Sequence, residues 1–161
     1  MARATVIRPI TIILIDDLDF GIVRSESSGG FVEVSHLTGV QYIGGARLGC
    51  RQLGICPAPH AARFSVSGEA NRSYTVTLPK TLAIRPAAER TLAQEQDGRF
   101  SDSLIVDAIT VLSVSGQIGN ATGKLDVNGK DQFEIFGRLR MPSETKPGRY
   151  RAQIPILVVY S

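Results

Sequence analysis

Two groups of acidic residues have the type and spacing that a calcium site would use. One lies in the run Asp16–Asp19 and the other in the run Asp126–Asp131, which reads Asp-Val-Asn-Gly-Lys-Asp. Calcium takes roughly six to eight oxygen ligands, and the EF-hand loop ends in a Glu that this stretch lacks. Asp, Asn and Gly are also the residues that build turns. The pattern therefore favours turn chemistry, and we expect no metal site.

The only cysteines are Cys50 and Cys56. Their spacing excludes a redox Cys-x-x-Cys motif, and a metal site would need further ligands that His36 and His60 do not supply at a suitable spacing. A close pair of this kind is typical of a small disulfide loop in an exported protein, and we favour a disulfide over two free thiols. Closing so short a loop stabilises the fold by about 2 kcal/mol in the chain-entropy description.

Nucleophiles and acids are present, but their arrangement does not indicate an enzyme. The chain has no Gly-x-Ser-x-Gly elbow, and neither histidine lies in a recognisable catalytic pattern. No carboxylate lies in an apolar stretch that would raise its pKa. The Gly29-Gly30 and Gly44-Gly45 pairs are not followed by a helix start, so they are not phosphate loops. We expect no catalytic residue and no cofactor.

Composition narrows the class of protein further. The chain has 161 residues, 43% of them hydrophobic, which is typical of a single globular domain spanning 1–161. Its net charge of +3 comes from 18 basic and 15 acidic side chains, and it has no Trp. The basic residues are not clustered among aromatic ones, so we do not expect nucleic-acid binding. No apolar run reaches the ~20 residues that a membrane span requires.

Both ends of the chain read as apolar β-strands. Ala4–Ile15 is almost continuously aliphatic or β-branched, and Tyr150–Tyr160 alternates with period two. An unpaired apolar strand is a template for another chain. We therefore expect these strands to pair either with each other or with a neighbouring molecule. Pro9 and Pro155 cannot donate ladder hydrogen bonds, which indicates that the pairing within one chain is incomplete.

Short alternating segments bounded by turn residues fill the chain between these ends, and this pattern predicts an all-β fold, a β-sandwich. Asn128-Gly129, between Lys124–Val127 and Gln132–Phe136, predicts a hairpin with a type I′ turn. The one plausible helical turn is Ala87–Gln96. The other predicted strands are Gly30–Ser35, Gln41–Ile43, Ala62–Ser67, Ser73–Leu78 and Ala108–Ser115.

Several of these segments resemble known pilin families. The run from the first strand through Asp17–Gly21 is similar to the opening of chaperone–usher pilus subunits of the archaic, spore-coat-U-like kind. A pilin-like family catalogued as domain of unknown function 4402 is closer still. That second resemblance rests on Ala62–Gly68, Tyr74–Pro79, Phe136–Leu139, Pro147–Tyr150 and the penultimate Tyr160.

The resemblance implies an immunoglobulin-like, pilin-type sandwich that lacks its final strand and is completed by strand exchange. A periplasmic chaperone fills the resulting groove first, and the N-terminal strand of the next subunit then replaces it. Within the candidate donor or first strand, residues 1–12, the donor side chains would be Ala4, Val6, Ile10 and Ile12. The acceptor groove would be lined by Ile154, Ile156, Val158 and Tyr160.

The function expected from this resemblance is that of a structural subunit of a bacterial surface fibre, a pilus or fimbria, with no catalysis. Its partners would be identical or related pilin subunits, a periplasmic chaperone and an outer-membrane usher. The protein would be exported through the periplasm to the cell surface. The apolar run Ile10–Ile15 leads into Asp16-Asp17 and not into a cleavage site, so we expect the signal peptide to be absent from this sequence.

The alternative is a self-complete secreted sandwich that acts as a binding module, for instance a carbohydrate-binding adhesin at a fibre tip. An exposed aromatic platform would distinguish this module from a fibre subunit. The low aromatic content, 6% with no Trp, argues against it.

Overall fold

The computed structural model describes residues 1–50, 55–86, 103–116 and 120–161. Across these ranges the secondary structure is entirely β, which confirms the predicted fold class, and no helix there is long and apolar enough to cross a membrane. The predicted helical turn at Ala87–Gln96 lies outside the described residues. The strands are β1 (Thr11–Asp16), β2 (Val23–Ser35), β3 (Gly39–Leu48), β4 (Ala62–Ser67), β5 (Ser73–Thr77), β6 (Leu82–Pro86), β7 (Leu104–Ser113), β8 (Thr122–Lys124), β9 (Lys130–Met141), β10 (Tyr150–Arg151) and β11 (Leu157–Tyr160).

The strands form two antiparallel sheets in an immunoglobulin-like β-sandwich. The large sheet has the order β1-β4-β9-β7-β6-β10, with β2 added beside β9 and β3 beside β2. The small sheet has the order β11-β5-β8. Strand β9 is the central strand of the large sheet, since β7 pairs along one of its edges while β4 and β2 pair with successive parts of the other edge. This shared edge makes the large sheet curl around the core.

Within the described ranges, the core consists of two clusters of buried side chains. The first core cluster is centred on Val32, Val106 and Leu139, and the second on Tyr74, Phe133 and Ile135. The side chains of β4 and β5 alternate between buried and exposed, as the period-two pattern predicts. Each sheet therefore contributes one face to the core and leaves the other face in solvent.

The terminal strands do not pair with each other, so that alternative is wrong. β1 pairs with β4, and β11 pairs with β5. In the part of the chain that the structure describes, each has one edge that forms no ladder. The C-terminal strand is also shorter than predicted, because the chain leaves β10 in the large sheet and enters β11 in the small one. The break at Ala152–Ile156 contains Pro155, which has no N–H for a ladder.

The predicted hairpin at Asn128-Gly129 is wrong in both turn type and pairing. Only Gly129 has a positive φ, 72°, whereas a type I′ turn needs positive φ at both central residues. The Asp126 carboxylate accepts hydrogen bonds from the N–H groups of Asn128 (2.8 Å) and Lys130 (2.9 Å) and closes a different turn. Because β8 pairs with β5 in the small sheet, this turn connects the two sheets.

Candidate functional site

An open groove of about 1520 Å³ lies over the first core cluster. One side is formed by Leu14 of β1 and the segment Asp17–Ser25, and the other by Thr145–Ile154 together with Ile156. The floor includes three buried core residues, Val106, Leu139 and Met141. The groove thus lies directly over the buried interior of the sandwich, between its two terminal strands.

The groove is open because the terminal strands are in contact at only one end. At that end, which we call the closed end, the side chains of Ile10 and Ile12 pack on the second core cluster together with Ile156, Val158 and Tyr160. Further along β1, Leu14 is 50% exposed. There the C-terminal chain belongs to β10 of the large sheet, and among the described residues no strand pairs with the free edge of β1.

The size and lining of the groove favour an extended chain as its occupant. Pockets for small molecules are typically about 300–1,000 Å³, and this groove is larger. Its apolar walls include Phe20, Ile84 and Tyr150, and it lies between the unpaired edges of two strands. Unpaired backbone N–H and C=O groups beside apolar pockets are the features that bind an added β-strand.

The family described as "Domain of unknown function (DUF4402)" matches residues 10–160 of the chain. The chain belongs to this family. No curated protein and no solved structure matches it. The DUF4402 match therefore confirms the family resemblance seen in the sequence, and the relation to chaperone–usher pilins remains a proposal.

In this DUF4402 chain, the predicted acceptor residues are divided between two places. Ile154 lines the groove, and Ile156 both lines the groove and packs on the second core cluster. Val158 and Tyr160 lie at the closed end and cover the second core cluster. All four side chains face inward, while Leu157 on the opposite face is 58% exposed, so the alternation predicted for this segment is correct.

The predicted donor residues are also divided. Ile10 and Ile12 are half-buried against the second core cluster of their own domain. Ala4 is exposed, and Val6 is 95% exposed. Residues 1–7 therefore form an apolar arm, and within it Ala4 and Val6 are the predicted donor side chains that have no place in the chain's own core.

A hydrogen-bonded latch holds the base of this arm at the closed end. The Tyr160 hydroxyl donates to the Arg8 carbonyl (2.7 Å) and accepts from the Glu69 N–H (2.7 Å). The Arg8 N–H donates to the Glu69 carboxylate (2.9 Å). Gly68 makes room for the latch, because a Cβ at this position would collide with the Tyr160 hydroxyl. The alternating pattern identified Tyr160, whereas no sequence signal identified Glu69.

The predicted disulfide between Cys50 and Cys56 is present, with a Cα–Cα distance of 6.3 Å. The residues that flank it, Gly49 and Pro57, both line the groove. The Gly49 N–H also donates a hydrogen bond of 2.8 Å to the Ile22 carbonyl. The disulfide therefore fastens part of the groove wall.

The two sheets are connected by a buried tyrosine. The Tyr74 hydroxyl of β5 donates a 2.8 Å hydrogen bond to the Asp131 carboxylate of β9, which also accepts from the Ser115 hydroxyl. Burial, together with this bond to a carboxylate, raises the pKa of Tyr74 far above its ordinary value. The phenol therefore stays protonated and serves as a structural donor between the sheets.

The acidic runs considered above as calcium ligands are engaged in local structure. Asp19 accepts the N–H of Gly21 (2.7 Å), and Asp16 pairs with Arg63. Asp126 closes the turn before β9 by accepting backbone N–H bonds, chiefly from Lys130, which lower its pKa. These contacts confirm turn chemistry at Asp19 and Asp126. Over the described ranges, no three His, Cys, Asp or Glu side chains are grouped as metal ligands.

Proposed function

We propose that this protein is a structural, non-catalytic subunit of a bacterial surface fibre, and that it polymerises by inserting its N-terminal arm into the groove of the next subunit. The observation that carries the proposal is the open groove, which lies between the unpaired edges of β1 and the C-terminal segment. Together with the exposed arm, this groove gives each subunit one donor and one acceptor.

Two kinds of contact stabilise an inserted strand. Its backbone forms ladder bonds with the open strand edges, and its alternate side chains enter the apolar groove. Burying a side chain such as that of Val6 contributes about 1.5–3 kcal/mol. The Ala4 side chain lies two residues away and points to the same side of an extended strand, so the two enter together.

The latch favours insertion into a neighbour over insertion into the chain's own groove. Arg8 is bonded to Tyr160 and Glu69 at the closed end, whereas the part of β1 that lines the groove begins at Leu14. To fill its own groove, the arm would have to turn back beside β1 immediately before Pro9. Donor and acceptor therefore lie at opposite ends of the domain, and a head-to-tail contact of this kind propagates into a fibre.

The proposed partners follow from the same groove. Before assembly, its exposed apolar walls would promote aggregation, so a periplasmic chaperone would cover them and deliver the subunit to an outer-membrane usher. The disulfide at the groove wall is consistent with export to an oxidising compartment. The assembled fibre would lie on the outside of the cell.

The test is negative-stain electron microscopy of the purified chain beside two deletions. Removing Met1–Pro9 is expected to abolish fibres, but this deletion also removes the Arg8 contacts with Glu69 and Tyr160. Removing only residues 1–7 keeps those contacts, so it tests the arm alone. Circular dichroism should show both shortened proteins to be folded. Fibres from the 1–7 deletion, or folded monomers from all three proteins, would refute the proposal.

A further inference from the structure

The outer face of the large sheet carries a row of side chains that face away from the core. Phe31, Arg140 and Ile105 are directly opposite one another across β2, β9 and β7. Two residues further along the strands, on the same face, Arg138 lies between Glu33 and Asp107. The residues that alternate with them along the strands, among them Val32, Val106 and Leu139, are buried in the first core cluster, so period-two alternation places this row on the outer face.

Asp107 holds the two arginines of β9 in fixed positions. Its carboxylate accepts from Nε of Arg138 (2.7 Å) and from Nε of Arg140. Both guanidinium groups lie over the Phe31 ring, at 4.9 and 5.9 Å from its centroid. The hydrogen bond to Arg138 is the main reason that the pKa of Asp107 lies below its ordinary value.

The held arginines keep most of their donors available. A guanidinium has roughly five N–H donors, of which four are on the two η nitrogens. Apart from the Nε bonds to Asp107, no hydrogen bond from either guanidinium is found among the residues that the structure describes. Their η nitrogens are therefore donors on a rigid strand that need little reorganisation to bind an anion.

A second pair of arginines extends this surface across the sheet. Arg85 of β6 and Arg151 of β10 are both exposed and lie directly opposite each other. Like charges in this position destabilise a sheet. Neither Arg85 nor Arg151 forms an ion pair with any residue in the described ranges. In this part of the outer face, the described strands thus carry the four arginines 85, 138, 140 and 151 and the acidic residues Asp107 and Glu33, while Glu134 and Arg63 lie opposite each other further along β9 and β4.

We propose that this arginine face, composed of Arg85, Arg138, Arg140 and Arg151, binds an acidic polysaccharide bearing carboxylate or sulfate groups. The four cations span three strand spacings, about 14 Å, which suits a polymer with repeated charges. Arginine binds carboxylates and tetrahedral oxyanions through paired N–H donors. Single-stranded nucleic acid is less suitable, because it requires open aromatic faces for base stacking and the arginines cover Phe31. This inference does not depend on polymerisation.

The test measures the affinity of the full-length protein for heparin and for polygalacturonate by isothermal titration calorimetry. Compared with the parent, the variant Arg85→Gln/Arg151→Gln should bind heparin and polygalacturonate at least about tenfold more weakly, because it loses charge-assisted hydrogen bonds. The Tm of this double variant should not fall, since the substitutions remove a pair of like charges. Lys80→Gln/Lys124→Gln removes the same charge from exposed residues elsewhere and should bind as the parent does.

Two further measurements make the test specific. Arg151 also lies at the rim of the groove, so Arg85→Gln alone should show a smaller loss of affinity while fibres still form. Affinity should fall steeply between about 50 and 200 mM salt, as expected for contacts with a polyanion. Equal loss in the lysine control, unchanged binding in the arginine variants, or equally tight binding of single-stranded DNA would overturn the assignment.

Discussion

Val6 allows strand exchange to be tested without disturbing the folded subunit. Its side chain is 95% exposed, so Val6→Asp removes no contact from the isolated domain. In the proposed joint this side chain is buried. The substitution then loses about 1.5–3 kcal/mol of burial and adds at least ~2 kcal/mol for a desolvated carboxylate. Since each 1.4 kcal/mol is about tenfold, the association constant should fall by roughly a factor of 300 or more.

The assay is sedimentation velocity of the two proteins at matched concentration, with thermal unfolding of each as a check on folding. Thr5→Asp is the matched control, because Thr5 is also exposed and alternates to the opposite side of an extended arm. Val6→Asp should remain monomeric with an unchanged Tm, while Thr5→Asp should polymerise. If Val6→Asp forms polymers as readily as Thr5→Asp, the arm is not the donor strand.

Three further predictions concern the latch, the arginine face and the groove wall. Gly68→Ala should destabilise the domain by about 1–3 kcal/mol, because the new Cβ displaces Tyr160 from Arg8 and Glu69; Gly148→Ala, whose nearest contact would be 3.8 Å away, should leave Tm unchanged. Asp107→Asn should lower Tm at pH 7, and the difference should disappear as the pH falls. The reason is that the Asp107 carboxyl has a lower pKa in the folded protein than its ordinary pKa of about 3.9. Its ionised form therefore stabilises the fold at pH values above about 3.9, and this stabilisation is lost as the pH falls through the pKa of the folded protein. A difference in Tm that stays as large in acid as at pH 7 would contradict this explanation, and Asp17→Asn, at an exposed position, is the control. Replacing Cys50 and Cys56 with Ser should cost about 2 kcal/mol, and a reductant should lower the Tm of the parent but not of this variant.

The local pattern of the sequence was sufficient to predict the fold class and most buried faces. In β4, β5 and the C-terminal segment, alternation alone identifies the side chains that face the core, because a strand turns successive residues to opposite sides. The cysteine spacing similarly led to the disulfide, since the two residues are close along the chain. At Asn128-Gly129 the sequence located a turn but not its type, which the Asp126 side chain decides.

Pairing between strands depends on residues far apart in the chain, so it is seen only once the chain is folded. No local signal indicates that β1 pairs with β4, that β11 pairs with β5, or that the two terminal strands separate to leave a groove. The contact of Tyr160 with Arg8 spans 152 residues, and that of Arg138 with Asp107 spans 31. Which side chains face the core follows from the local alternation of residues. The open edges, the latch and the arginine face arise from packing between distant segments.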